Sequence, residues 1–264
     1  MRRWIALCLW AVGLVCAQAG QNCVVRNATP DILQQASGAA ERSYRALEEH
    51  GGQVALIARV GQDLGRFGLR YSHVGFVLRD HPDGRWTVLH LLNTCGTDVS
   101  GVYAEGLLDF FLDGMVSYDS HIVWLRPDFA EVLTRVLAGG QPVQLHDPDY
   151  NVIARWDSAR TQNSTAWVLA LLGAALAEPQ ARTPHAAIQH AAAAGFQPSV
   201  LRIGYGERLA GGLFSANAQF TDHPVSARLG GRYRVVTVRS IFEWLRNADL
   251  VQGERTLGSA IRGD

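Results

Sequence analysis

The sequence contains no lysine: all 24 of its basic residues are arginine, balanced by 24 acidic residues. The absence of lysine excludes Schiff-base chemistry, a Ser-Lys dyad and the lysine of a phosphate-binding loop. The arginines form no basic stripe of the kind that nucleic-acid binding requires, so we expect no nucleic-acid partner. The motifs H-E-x-x-H and G-x-S-x-G, which mark zinc peptidases and α/β-hydrolases, are also missing.

Metal-binding patterns are equally scarce. His185 and His190 are five residues apart in a predicted helix, a spacing that does not bring two side chains onto one metal ion. We therefore expect no metal and no cofactor.

Long hydrophobic runs are confined to the N-terminus. Two arginines precede an apolar stretch at residues 4–16, and a small-x-small sequence ends at Ala19. This order is typical of a secretory signal peptide, and the run is too short for a membrane anchor. We expect residues 1–19 to be removed near Ala19 and the rest to be exported, periplasmic or secreted, with no membrane span.

Cysteine is scarce as well. Cys8 and Cys16 belong to the predicted signal peptide, which leaves Cys23 and Cys95. In an oxidising compartment these two can form a disulfide that ties the N-terminal segment to the core. Cys95 has neither a helix N-terminus nor an obvious base beside it, so a disulfide is the better interpretation than a nucleophile.

The remaining pattern predicts one α+β domain over residues 20–264, a small antiparallel sheet packed against helices. A helix follows the cap Thr29 and stops before Gly51. Residues 81–84, His-Pro-Asp-Gly, form a turn between two strands. Predicted strands cover residues 53–61, 70–80, 85–93, 120–127 and 232–238; further helices cover residues 104–113, 129–137, 165–177 and 184–194, with a last one opened by a capping box at 240–243.

Two histidines on neighbouring strands are candidate site residues. His73 lies in "YSHVGF", two positions before Gly75, and His90 lies on the next strand. A turn of two or four residues between these strands places both histidines on one face of the sheet, within contact distance. An imidazole held by a second polar side chain is a general base kept in one tautomer. A buried histidine bonded to the backbone is the alternative interpretation.

Ser164, in "TQNSTAW", is a candidate nucleophile. It precedes an apolar helix, where the helix dipole and its own N–H would help to stabilise an oxyanion. Ser164 could equally be part of a plain helix cap, and Asn163 could either cap the helix or donate to the oxyanion.

These motifs resemble the circularly permuted NlpC-type papain-like fold of lecithin:retinol acyltransferase-like proteins. "YSHVGF", the following turn and strand, and a polar pair opening an apolar helix occur in the order of that group, over roughly residues 53–175. Residues 176–264 would be a helical and strand extension. The resemblance implies that His73 is the base, His90 the orienting residue and Ser164 the nucleophile. Serine stands where the family has a thiolate cysteine, which a neighbouring imidazolium activates.

The whole chain, including "QNSTAWVL" and "TDHP", also resembles a family of secreted bacterial proteins known only as a domain of unknown function. Together these patterns leave three functions open. The first is a Ser-His hydrolase or acyltransferase acting on an amide or ester of the cell envelope. The second is an inactive relative that binds an envelope ligand, a cell-wall peptide or a lipid. The third is a structural envelope factor.

Overall fold

The structure, a computed structural model, describes residues 28–177, 181–208 and 217–258. The predicted signal peptide, residues 1–19, and Cys23 lie outside the described residues. The strands are β1 Val54–Val60, β2 His73–His81, β3 Gly84–Asn93, β4 Ser100–Glu105, β5 Ser117–Leu125, β6 Ser199–Arg202, β7 Arg232–Val235 and β8 Val251–Leu257. The helices are α1 Pro30–His50, α2 Leu107–Leu112, α3 Pro127–Ala138, α4 Gln141–Gln144, α5 Ser164–Ala174, α6 Pro184–Ala193, α7 Val225–Gly230 and α8 Val238–Asn247.

A six-stranded sheet forms the centre of the described residues. Its strand order is β4-β3-β2-β1-β5-β8, and every neighbouring pair is antiparallel. Strands β6 and β7 form a separate antiparallel pair. The predicted α+β class with an antiparallel sheet and helices is confirmed. The sheet is larger than predicted because it includes β4 and β8.

Helices cover both faces of this sheet. Strand β1 is buried along its whole length, so its alternating side chains enter two different cores. Ala55 and Ile57 pack with residues of α1 and α2. Leu56 lies on the other face, in the core that contains residues of α3, α5, α6 and α8. The sheet is therefore the middle layer of three.

Helix α5 lies at the centre of the second core. All 11 of its residues are buried, as expected of a helix that is apolar on every side. Gly173 lets α6 approach closely, because a Cβ there would stand 2.0 Å from the carbonyl oxygen of Ala187. A larger residue at this position would push the two helices apart.

The helix predicted at residues 104–113 is wrong at its start, because residues 104 and 105 belong to strand β4. The helix begins only at Leu107, and Ala104 and Glu105 pair instead with Leu89 and Val88 of β3. Alanine and glutamate favour helix in isolation, but strand pairing with β3 overrides that weak preference.

The start of the last helix was also predicted wrongly. Thr237 and Ser240 form the capping box, so α8 begins at Val238 and not after Ser240. The preceding strand, β7, correspondingly ends at Val235. Strand β8 was not predicted because its largely exposed, polar sequence has no apolar run; it is held at the sheet edge by pairing with β5.

Candidate functional site

The hairpin of β2 and β3 determines where the two histidines lie. His81 pairs with Gly84 across a two-residue turn, and the same register pairs Phe76 with Leu89. His90 therefore lies opposite Gly75 and diagonally beside His73, on one face of the sheet. A Cβ on Gly75 would stand 3.0 Å from the Cβ of His90, so glycine leaves the space that His90 needs.

His73, His90 and Glu105 are joined in series by hydrogen bonds. Nε2 of His73 lies 2.9 Å from Nδ1 of His90. Nε2 of His90 lies 3.1 Å from Oε2 of Glu105. The three side chains come from the three adjacent strands β2, β3 and β4, each displaced diagonally from the last.

Burial keeps both imidazoles neutral near pH 7. His73 is 9% exposed, and burial, with a smaller contribution from the charge of Arg59, holds its pKa well below the ordinary value. Burial also lowers the pKa of His90, although the hydrogen bond that His90 donates to Glu105 opposes the shift. The hydrogen bond with His90 lowers the pKa of Glu105, which is therefore an ionised acceptor.

Arg59 is a buried cation beside this series. It pairs with His73 in the β1–β2 ladder and is 2% exposed. Its guanidinium donates to Asp113 Oδ2 at 2.5 Å and to the carbonyl oxygen of Phe110. The guanidinium also lies over the Phe110 ring, 4.6 Å from the centroid. Asp113 thus neutralises a charge that would otherwise be buried alone.

A cavity of about 1090 Å³ opens at the end of the sheet where β1 ends and β2 begins. Arg59, His73, Asn93 and Ser164 all line it, together with many apolar side chains. Helix α5 packs on the sheet face opposite the histidines, and Ser164 at its N-terminus lines the cavity. The cavity therefore has walls from both sides of the sheet.

Ser164 is the first residue of α5, and its neighbour Asn163 is the N-cap. The side-chain amide oxygen of Asn163, Oδ1, accepts from the N–H of Ala166 at 2.8 Å, so Asn163 caps the helix. The hydroxyl of Ser164 lies beside the buried phenol of Tyr150, whose pKa burial raises to about 12, against the effect of the Ser164 hydroxyl. In the described part of the chain, no hydrogen bond joins Ser164 to His73.

A Ser-His contact does occur elsewhere. Ser100 Oγ lies 3.0 Å from Nε2 of His146, and neither residue lines the large cavity. The hydroxyl also donates to the carbonyl oxygen of Asp147, which ties β4 to the segment after α4. Within the described ranges, no group of three or more His, Cys, Asp or Glu side chains is arranged to hold a metal ion.

The structure thus joins His73 to His90 by a hydrogen bond and brings Ser164 to the same cavity. Sequence reasoning missed Glu105 and Arg59. Glu105 lies inside a segment predicted as helix, and only the structure shows that it stands two positions along β4 from Tyr103, the residue opposite His90. Cys95 is disulfide-bonded, whereas Cys23 lies outside the described residues, and the pairing of the two stays a prediction.

Comparison with known families gives one match. The family described as "Uncharacterized protein conserved in bacteria (DUF2145)" matches residues 46–245. The chain belongs to this family. The match includes His73, His90, Glu105 and Ser164, so the whole candidate site lies inside the family region. It agrees with the resemblance to a domain of unknown function and assigns no activity.

Two further comparisons found nothing: no curated protein and no solved structure matches the chain. Over residues 28–177, 181–208 and 217–258, no helix has the length and apolar character needed to cross a membrane.

Proposed function

We propose that the cavity is an acyl-transfer site of permuted papain-like type, with His73 as general base, His90 as orienting residue and Ser164 as nucleophile. The observation that carries this proposal is the bond from Nε2 of His73 to His90 in the wall of the cavity that Ser164 also lines. An imidazole held at one nitrogen presents the other in a fixed direction.

The chemistry follows from the roles of these groups. Neutral His73 takes the hydroxyl proton of Ser164 as Oγ attacks the carbonyl carbon of an amide or ester. The tetrahedral intermediate expels an amine or alcohol, which receives that proton, and the acyl group on Ser164 passes to water or another acceptor. The Ser164 N–H lies in the first turn of α5, where N–H groups have no partner within the helix and can bind an oxyanion.

The substrate class that we propose is cell-envelope material, a cell-wall peptide or a lipid, in an exported protein. The resemblance to the permuted NlpC-type fold is the basis for this class. The size of the cavity and its mixture of apolar and polar walls support a ligand larger than a metabolite of a few atoms.

A second candidate function, ligand binding without chemistry, is favoured by the surroundings of Ser164. The Ser164 hydroxyl neighbours Tyr150 and makes no hydrogen bond to His73. Serine is also a weaker nucleophile than the cysteine of the NlpC-type proteins that the chain resembles. In that case the protein still binds a ligand in the cavity but does not catalyse acyl transfer.

Labelling with a fluorophosphonate probe separates the two functions. We expect the mature protein, residues 20–264, to be labelled at Ser164, and Ser164→Ala and His73→Ala to abolish the labelling. Ser100→Ala is the matched control, since Ser100 is bonded to a histidine outside the cavity. Absence of labelling in the folded wild-type protein would contradict the enzyme proposal and favour binding.

A cysteine at the same position is a sharper test of the site. In Ser164→Cys, transfer of the thiol proton to His73 would form a thiolate–imidazolium pair, and residue 164 should react with iodoacetamide faster than an exposed model thiol near neutral pH. Mass spectrometry locates the alkylated residue. A thiol no faster than the model compound would mean that the cavity does not activate nucleophiles.

A further inference from the structure

Glu105 reaches His90 from the strand beyond it. In the β3–β4 ladder Tyr103 is opposite His90, and Glu105 is opposite Val88, which places the carboxylate diagonally beside the imidazole. Glu105 is 27% exposed at its side chain, whereas His90 is completely buried. The Glu105 carboxylate is therefore partly exposed to solvent, whereas the His90 nitrogen that it contacts is buried.

The order of donors and acceptors in this series is determined at the Glu105 end. An ionised carboxylate only accepts hydrogen bonds, so Nε2 of His90 must carry the proton. In a neutral imidazole the other nitrogen is then an acceptor, and Nδ1 of His90 must receive its bond from Nε2–H of His73. Nδ1 of His73 is left without a proton.

We infer that Glu105 is a positioning residue that sets the tautomers of His90 and His73 and so makes Nδ1 of His73 the basic nitrogen. The inference rests on the proposed function for the task of that nitrogen, the removal of a proton in the cavity. The assignment of one tautomer to each histidine does not depend on any reaction.

The reverse arrangement would require either a protonated Glu105, which the lowered pKa of that carboxyl disfavours, or a buried charge on His90. If His90 were an imidazolium, its Nδ1–H would donate to His73, and His73 would carry its proton on Nδ1. Arg59 is already a buried cation next to both histidines, and its charge disfavours a second one. Glu105 and Asp113 oppose that effect, but burial has the largest influence on His90, and its pKa is lowered.

Nitrogen-15 NMR of the histidine rings tests the inference, because two-bond proton–nitrogen correlations distinguish the two tautomers. In the full-length wild-type protein near pH 7.5 we expect both His73 and His90 in the Nε2–H form. In Glu105→Leu the Nε2–H of His90 loses its acceptor, so we expect a shift towards Nδ1–H in both rings.

A matched control is available at a second histidine. Glu254 Oε2 lies 2.9 Å from Nε2 of His121, in a pair on strands β8 and β5. Glu254→Leu should alter the spectrum of His121 and leave His73 and His90 in the Nε2–H form. If Glu105→Leu does not fold, the wild-type spectrum still decides between the two arrangements.

Two results would overturn the inference: an Nδ1–H tautomer of His73 in the wild-type protein, or unchanged tautomers in folded Glu105→Leu. Neither measurement needs a substrate or a labelled serine. Failure of Ser164 labelling therefore contradicts the proposed function and leaves the role of Glu105 intact. Unchanged tautomers in folded Glu105→Leu contradict the role of Glu105 alone. An Nδ1–H tautomer of wild-type His73 would contradict both, because the free nitrogen of His73 would then carry a proton.

Discussion

Gly75 and His90 are opposite each other in the β2–β3 ladder, and a Cβ on Gly75 would stand 3.0 Å from the Cβ of His90. The same Cβ would meet Val88 Cγ1 at 2.9 Å. The absence of a side chain at residue 75 is therefore part of the geometry that holds the two histidines together.

The first prediction concerns this contact. Gly75→Ala should lower the free energy of unfolding by about 1–3 kcal/mol, because the added methyl overpacks a buried face. It should also move His90 and weaken the bond to His73. Urea denaturation measures the first effect and histidine NMR the second. Gly140→Ala is the control: nothing lies within 4 Å of its added Cβ, and equal losses in both variants would contradict the prediction.

The second prediction is a loss of stability as the pH falls from about 7 to 5. The pKa values of His73 and His90 are lowered in the folded protein, while unfolded histidine titrates near 6.5. Below that pH the unfolded state binds more protons, so folding stability falls with decreasing pH, by up to about 1.4 kcal/mol per pH unit for each histidine.

The contribution of one histidine to this slope can be isolated. His73→Gln should reduce the pH dependence of the free energy of unfolding, measured by denaturation at several pH values. The exposed His190 serves as the control, and His190→Gln should leave the slope as it is in the wild type. Equal slopes in all three proteins would mean that His73 is not held neutral.

The third prediction concerns the cap of α5. Asn163→Ala should lower the free energy of unfolding by about 0.5–2 kcal/mol, the range for loss of a helix N-cap. We expect a value near the upper end of this range, because Asn163 is 5% exposed and its side-chain amide also donates to the carbonyl oxygen of Val152. Thr183→Ala removes the N-cap of α6 at an exposed position and should cost less. The order of the two losses in thermal or urea unfolding checks this, and a larger loss in Thr183→Ala would count against it.

The fourth prediction concerns the cysteines. Cys23 and Cys95 should pair, so that thiol titration of the unfolded, signal-processed protein finds no free thiol before reduction and two after it. Cys95→Ser should destabilise the protein by about 2–4 kcal/mol, since the bridge closes a long loop. Two free thiols before reduction would refute the pairing.

The fifth prediction concerns export. Cleavage after Ala19 is expected from the arginine pair, the short apolar stretch and the small-x-small sequence. N-terminal sequencing of protein from the cell-envelope fraction should begin at Gly20. An intact Met1 on that protein would show that the segment is not a cleaved signal peptide.

The sequence indicated that His73 and His90 share one face of the sheet if the turn between their strands has two or four residues, and the structure has the two-residue turn. Pro82 and Asp83 form a recognisable turn, and a two-residue turn permits only one register between its strands. Once the register is known, the alternation of side chains along each strand places both histidines on one face. Local residues therefore determine a contact between positions 17 apart.

Glu105 could not be predicted in the same way. The segment that contains it has helix-forming residues, and nothing local shows that it pairs with β3. The surroundings of Ser164 were equally hidden, because Tyr150 and the N-terminus of α5 meet only after α5 packs on the face opposite the histidines.

The sequence by itself determined the α+β class, the cap Thr29 of α1, the hairpin and the hydrophobic character of α5, since each depends on residues close together in the chain. Tertiary structure decided the strand β4, the carboxylate of Glu105 behind His90, the buried pair of Arg59 with Asp113, and the cavity that His73 shares with Ser164. These features depend on the order of strands in the sheet and on the packing of helices against its two faces, and long-range contacts of that kind leave no periodic pattern in a single sequence.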